Sequence, residues 1–150
     1  WIEMMDNKTY VDLVNAGEYP SEVQVPIDAP FVDERGEITN IWLGNSGSVT
    51  VITSKKGTDR ANHWHSGDFH SSHIISGKIK YTESEIDGSN KQEFIFGPGE
   101  SFFSPPMKAH RMDFLEDTVF VTVNGIAKNH ANYENSVVRT DVLKCWMGNI

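Results

Sequence analysis

Residues Gly57–Gly77 read GTDRANHWHSGDFHSSHIISG and hold four of the six histidines in the chain. His63 and His65 are separated by one residue, so on a β-strand both imidazoles point to the same face. His70 follows after the Ser66-Gly67-Asp68 bend, and His110 lies far downstream. Neutral imidazoles converging in one cavity are what a borderline transition metal needs. The stretch therefore predicts a metal site, with the rest of the chain as the scaffold that closes around it.

Outward from this stretch, short β-rich segments alternate with Gly, Asn, Asp and Pro, the pattern of an all-β sandwich or barrel. Candidate strands are 37–43, 48–54, 61–65, 71–84 broken at Ser76-Gly77, 92–96, 101–104, 109–114 and 118–123. About eight short antiparallel strands suit a double-sheet jelly roll. Asp87-Gly88-Ser89-Asn90 reads as a hairpin turn. Upstream, residues 6–16 put Tyr10, Leu13 and Val14 on one helical face, with Asp6 or Asn7 as cap and Gly17 as stop. The proline-rich segment up to Pro30 reads as an extended arm, able to lie along a sheet edge or to reach a neighbouring subunit. The division is thus residues 1–30 as helix and arm, 31–125 as barrel, and 126–150 as a polar tail with a last strand or short helix at 137–143.

Composition narrows the function. The chain has 150 residues, 38% of them hydrophobic and 11% aromatic, enough for one core. Its formal charge of -8 argues against nucleic-acid or anionic-membrane partners, which need a cationic face. No apolar run approaches the roughly 20 residues that span a bilayer. With one cysteine, Cys145, and no signal-peptide pattern at Trp1, the chain reads as a cytoplasmic protein without an internal disulfide.

The spacing of the histidines carries a family resemblance. Gly57, five residues, His63-x-His65, four residues, His70, six residues, Gly77 resembles the first motif of the cupin superfamily, with histidine where glutamate is usual. Gly99, five residues, Pro105, four residues, His110 resembles the second, with Met107 where glycine is usual and Phe114 where asparagine is usual. The resemblance implies a cupin-type jelly-roll barrel holding one divalent transition metal at His63, His65, His70 and His110. Zinc, manganese, iron, nickel or copper all suit such a site. Asp68 could orient an imidazole from outside the ligand set. His73, with strand parity opposite to His70, is expected to point out of the barrel.

A shorter likeness runs through Phe31–Ile38 and Arg60–His65, which are similar to cupins of polysaccharide biosynthesis, themselves similar to deoxysugar-nucleotide epimerases and ketoisomerases. Metal-free members of that group use histidine as a base at the position of His63; here the paired histidines favour ligation. The resemblance implies a small, carbohydrate-related substrate and isomerase, epimerase or lyase chemistry, with the ion as Lewis acid. A cupin dioxygenase and a non-enzymatic sensor are the alternatives, since fold and metal do not fix activity. Arg60, Tyr81 and Met112 are candidate substrate contacts, and no residue is assigned a catalytic role. Trp64, between two inward histidines, faces outward and suggests a homodimer surface or cover by the N-terminal arm.

Overall fold

The computed structural model describes residues 5–126 and 137–144. Asp6 caps helix α1 (Asn7–Asn15), its carboxylate accepting from the Thr9 backbone N–H at 2.8 Å. That fills one of the donors a first helical turn leaves open. The helix ends before Gly17, whose φ of 78° is a conformation glycine adopts without steric cost. Asn7 is no cap. Fully buried, it donates from its side-chain amide to the Pro26 and Ile41 carbonyls at 2.8 and 3.3 Å, and accepts from the Leu43 N–H at 2.9 Å.

Those bonds account for a departure from the sequence reading. The strand expected at 37–43 is confined to β3 (Gly36–Ile38), paired with β2 (Phe31–Asp33) in a small hairpin. Past Ile38 the backbone at Ile41 and Leu43 bonds to the Asn7 side chain instead of a ladder. The arm does lie on a sheet edge, where β1 (Gln24–Val25) pairs with β9 (Ser101–Ser104).

Two antiparallel five-stranded sheets make the barrel. The first has the order β1, β9, β6 (His70–Ser76), β11 (Thr118–Asn124) and β4 (Ser48–Ser54). The second has the order β12 (Val137–Arg139), β5 (Asp59–His65), β10 (Ala109–Phe114), β7 (Ile79–Ser84) and β8 (Gln92–Phe96). The segment at 137–143 is thus a short strand followed by a turn. The expected hairpin at Asp87–Asn90 joins β7 to β8, with Gly88 and Asn90 at φ 90° and 54°.

Side-chain alternation splits the apolar residues into two clusters. Ile74, Ile79, Tyr81, Phe96, Phe102, Phe114 and Phe120 fill the space between the sheets. Tyr10, Val14, Val25, Phe69 and Phe103 form a second cluster outside the first sheet, where helix and arm cover β9 and β6. His73 belongs to this outer side, as its parity predicts: it is buried, and its Nδ1 lies 2.6 Å from the Ser101 hydroxyl. No helix among the described residues is long and apolar enough to cross a membrane.

The motif glycines are there for their backbones. Gly57, Gly77 and Gly99 all have positive φ, at 84°, 102° and 84°. Gly77 is also crowded: an added Cβ would stand 2.5 Å from the Asp117 carbonyl oxygen and 2.6 Å from Thr118 Cα. At Gly57 nothing lies within 4 Å. Gly77→Ala should therefore cost about 3 kcal/mol, combining the left-handed penalty with overpacking. Gly57→Ala should cost about 1–2 kcal/mol from the backbone alone. Equal losses in urea unfolding would contradict this assignment.

Candidate functional site

The histidines meet because two strand registers align them. On the second sheet His63 of β5 is the direct partner of His110 of β10, and His110 is the partner of Glu83 of β7. On the first sheet Ser104 of β9, His70 of β6 and Asn124 of β11 form the matching row. One end of the barrel interior is therefore a polar layer built from both sheets. Below it, Tyr81, Met112 and Phe102 begin the apolar core.

His63, His65 and His110 are each at most 3% exposed, and one ring nitrogen from each lies within 4.8 Å of the others. Their rings pack at centroid distances of 4.6 Å for His63–His65, 4.7 Å for His63–His110 and 5.7 Å for His65–His110. His70 stacks on His65 at 4.5 Å, with its ring 6.3 Å from that of His110. The structure brings all four sequence-predicted histidines together, three in a tight group and His70 at its side.

Burial sets the titration of His110. His110 has its pKa pushed down to about 4, first by burial and then by His65 nearby, against a smaller opposing effect of its bond to the Lys108 carbonyl. That 3.3 Å bond involves Nδ1. A neutral imidazole donating from Nδ1 presents its Nε2 lone pair to the cavity, the arrangement a metal ligand requires. The donor set thus fits a borderline transition ion.

Asp68 sits beside His70. It is buried, and its Oδ1 accepts from the Phe69, Gly125 and Ile126 backbone N–H groups at 2.9, 3.0 and 3.1 Å. Its Oδ2 lies 3.8 Å from His70 Nε2. The carboxylate thus pins the end of β11 to the start of β6 and faces one side of the imidazole. Phe69 fills the space over Gly125, where any Cβ would collide with its ring.

Two residues of this layer were not singled out from the sequence. Glu83 is 8% exposed, and burial raises its carboxyl to about 7 against the opposing pull of Lys108 and the Tyr81 hydrogen bond. Period-two alternation through Ile79, Tyr81 and Glu83 could have found it. Asn124 is 7% exposed, and its side-chain oxygen has no hydrogen-bond partner among the described residues. A buried acceptor left in this state costs about 1–3 kcal/mol unless a ligand or water fills it.

The three candidate substrate contacts separate. Tyr81 is fully buried beneath the layer, its hydroxyl 2.9 Å from Ser104 Oγ and 3.4 Å from Glu83 Oε1. Met112 packs against the core as its floor. Arg60 lies elsewhere. A bulge at Ala61 and Asn62, with φ of 74° and 56°, sets it opposite Met112. Its guanidinium donates to Ser54 Oγ at 2.7 Å and the Thr53 carbonyl at 3.1 Å, in a polar groove of about 670 Å³ that also includes Lys55, Asp117 and Thr118. Trp64 does face away from the histidines, yet it is only half-buried and lies against β12 through its partner Val138. Cys145 lies outside the described residues.

No protein-family model and no curated protein sequence matches the chain. Solved structures do. The sugar 3,4-ketoisomerase QdtA from Thermoanaerobacterium thermosaccharolyticum, in complex with TDP, superposes with a TM-score of 0.61 at 16% identity over 75% of this chain and 83% of its own. The capsular polysaccharide assembling protein CapF from Staphylococcus aureus gives 0.57 at 21% identity over 82% of this chain, which spans only 37% of CapF. The dTDP-4-dehydrorhamnose 3,5-epimerase from Sulfolobus tokodaii gives 0.58 at 16% identity, covering 69% of each chain. At these identities the likeness is one of fold, and the fold is the cupin-type jelly roll that the motif spacing implied.

Proposed function

We propose that this chain is a metal-dependent isomerase or epimerase acting on a small carbohydrate-related substrate. The observation that carries the metal is the buried group of His63, His65 and His110, whose ligand atoms lie within 4.8 Å of one another. The carbohydrate reading is supported by fold neighbours that are a sugar ketoisomerase and a sugar-nucleotide epimerase.

His63, His65 and His110 would hold the ion, with His70 as a fourth ligand oriented by Asp68. A bound divalent ion supplies Lewis acidity, drawing electron density from a substrate carbonyl or hydroxyl oxygen. Glu83, opposite His110 in the same layer, takes a proton from carbon and returns it to the neighbouring position. A carboxyl near neutral pKa suits both halves of that transfer. The Tyr81 hydroxyl, itself bonded to Ser104, lies under the carboxyl group at 3.4 Å. Asn124 accepts a hydroxyl hydrogen bond from substrate on the facing sheet.

Protein purified without added metal or chelator should carry one divalent ion per chain by elemental analysis. His63→Ala and His65→Ala should each lose it, and retention in both would refute the site. In deuterated solvent, TDP-4-keto-6-deoxyglucose, the ligand held by a QdtA variant, should exchange carbon-bound hydrogen with the loaded protein. Oxygen consumption without exchange would favour the dioxygenase reading instead.

Glu83 makes a separate prediction through pH. A carboxyl raised from 4.5 to about 7 stabilises the fold fully below its unfolded value and loses that contribution as pH rises through 7. Between pH 5 and 8, wild type should lose roughly 2–3 kcal/mol relative to Glu83→Gln. Parallel curves in urea unfolding at matched metal content would show that Glu83 titrates normally.

A further inference from the structure

The strands that carry the histidine layer run on to a second polar site. Arg60, Ser76 and Thr118 stand at the ends of β5, β6 and β11 opposite to His65, His70 and Asn124, and all three line the groove of about 670 Å³. The apolar interior, including Ile74 and Phe120 midway along β6 and β11, separates the two ends. A volume of this size is typical of small-molecule pockets, which run from roughly 300 to 1,000 Å³.

The groove is the seam between the sheets, since β4 and β5 belong to different sheets and no ladder joins them. Arg60 spans it, bonded through Nε to Ser54 and through Nη2 to the Thr53 carbonyl. These bonds hold the guanidinium still and use only part of its donor fork. Neither Arg60 nor Lys55, which follows β4, forms an ion pair among the described residues. The two carboxylates of the groove are each engaged elsewhere by one oxygen. Asp117 Oδ1 accepts from the Lys56 backbone N–H at 2.8 Å, while Asp59 Oδ2 accepts from the Asn62 amide at 2.7 Å and lies 3.7 Å from Arg111 Nη2. Their other oxygens accept no hydrogen bond among the described residues. Thr58 donates its hydroxyl proton to the Lys55 carbonyl at 2.6 Å, so its oxygen also remains an acceptor.

Two cations beside a set of acceptors define the ligand's chemistry. The planar fork of Arg60, together with the Lys55 ammonium, suits a phosphate, and the carboxylate and threonine oxygens suit hydroxyl donors. Among the described residues no aromatic side chain lines the groove, so it offers no platform on which a nucleobase could stack. We infer that this end of the barrel binds a phosphorylated sugar without a base, at a site separate from the histidine layer. Arg60 and Lys55 take the phosphate, and Asp59, Asp117 and Thr58 accept from the sugar hydroxyls. The chain's formal charge of -8 disfavours an anion over most of the surface, which makes the local cations decisive. The site depends on neither the metal nor the proposed reaction.

Titrating the isotope-labelled full chain, as purified, with glucose 6-phosphate and following its amide signals by NMR tests this. Signals of residues 53–60 and 117–119 should shift and saturate with a Kd below about 1 mM, and glucose or inorganic phosphate should each bind roughly tenfold more weakly. Lys55→Gln, at an exposed position, should weaken the ester about fivefold with circular dichroism and metal content unchanged. Arg60→Lys keeps the charge and loses the fork, and should weaken it about tenfold. Shifts confined to the histidine end, or shifts that do not saturate by about 10 mM, would overturn the inference. So would equal affinity for the ester and inorganic phosphate, or full affinity in both variants.

Discussion

The pairing of His63 with His110 across the β5–β10 ladder is the contact on which the site depends. It sets the inward face of β5, which brings His65 with it, and places Glu83 in the same row through β7. A slip of one residue would turn all of these side chains to the opposite face. In this ladder the register changes at the bulge just before His63, where Ala61 and Asn62 both take left-handed backbone. Asparagine tolerates that conformation; alanine bears about 1–2 kcal/mol of strain. The bulge is tied down: the Asn62 amide donates to Asp59 at 2.7 Å, its side-chain oxygen accepts from Arg111 at 3.2 Å, and its carbonyl accepts from the Thr140 N–H at 2.9 Å. These bonds hold one register above the bulge, for the histidines, and another below it, for Arg60.

Burial then acts on the titratable groups of this layer. Imidazoles in contact, as the ring distances show, would repel one another if charged, and desolvation removes that option for His110. The same desolvation raises Glu83 on the neighbouring strand. One physical cause thus lowers the pKa of His110 and raises that of Glu83, side by side. The apolar core that begins with Tyr81, Met112 and Phe102 lies beneath the layer.

Much of this was legible in the sequence, for identifiable reasons. The inward sharing of His63 and His65 follows from period two, and the outward turn of His73 from parity. The arrival of His110 followed from motif spacing, since nothing local links residues so far apart. Met107, where the motif prefers glycine, does occupy a left-handed turn, with φ 65° and its N–H bonded to the His65 carbonyl at 2.7 Å. Other features could not be read. The Asn7 side chain displaces a strand by bonding to backbone 34 and 36 positions away, and Asp68 grips Gly125 from 57 positions away. The position of Arg60 is of the same kind, because a bulge of one residue is invisible to alternation and sets it opposite Met112, with its guanidinium on Ser54 and Thr53.

Three inward imidazoles at one end of the jelly roll form the proposed metal site. An anomalous-difference map from crystals grown with zinc or manganese tests that directly. The expected result is one strong peak per chain at about 2.0–2.2 Å from nitrogens of His63, His65 and His110, with His70 within reach of the same ion. A map with no peak there, or with the peak held by other side chains while the three imidazoles keep their mutual packing, would contradict it.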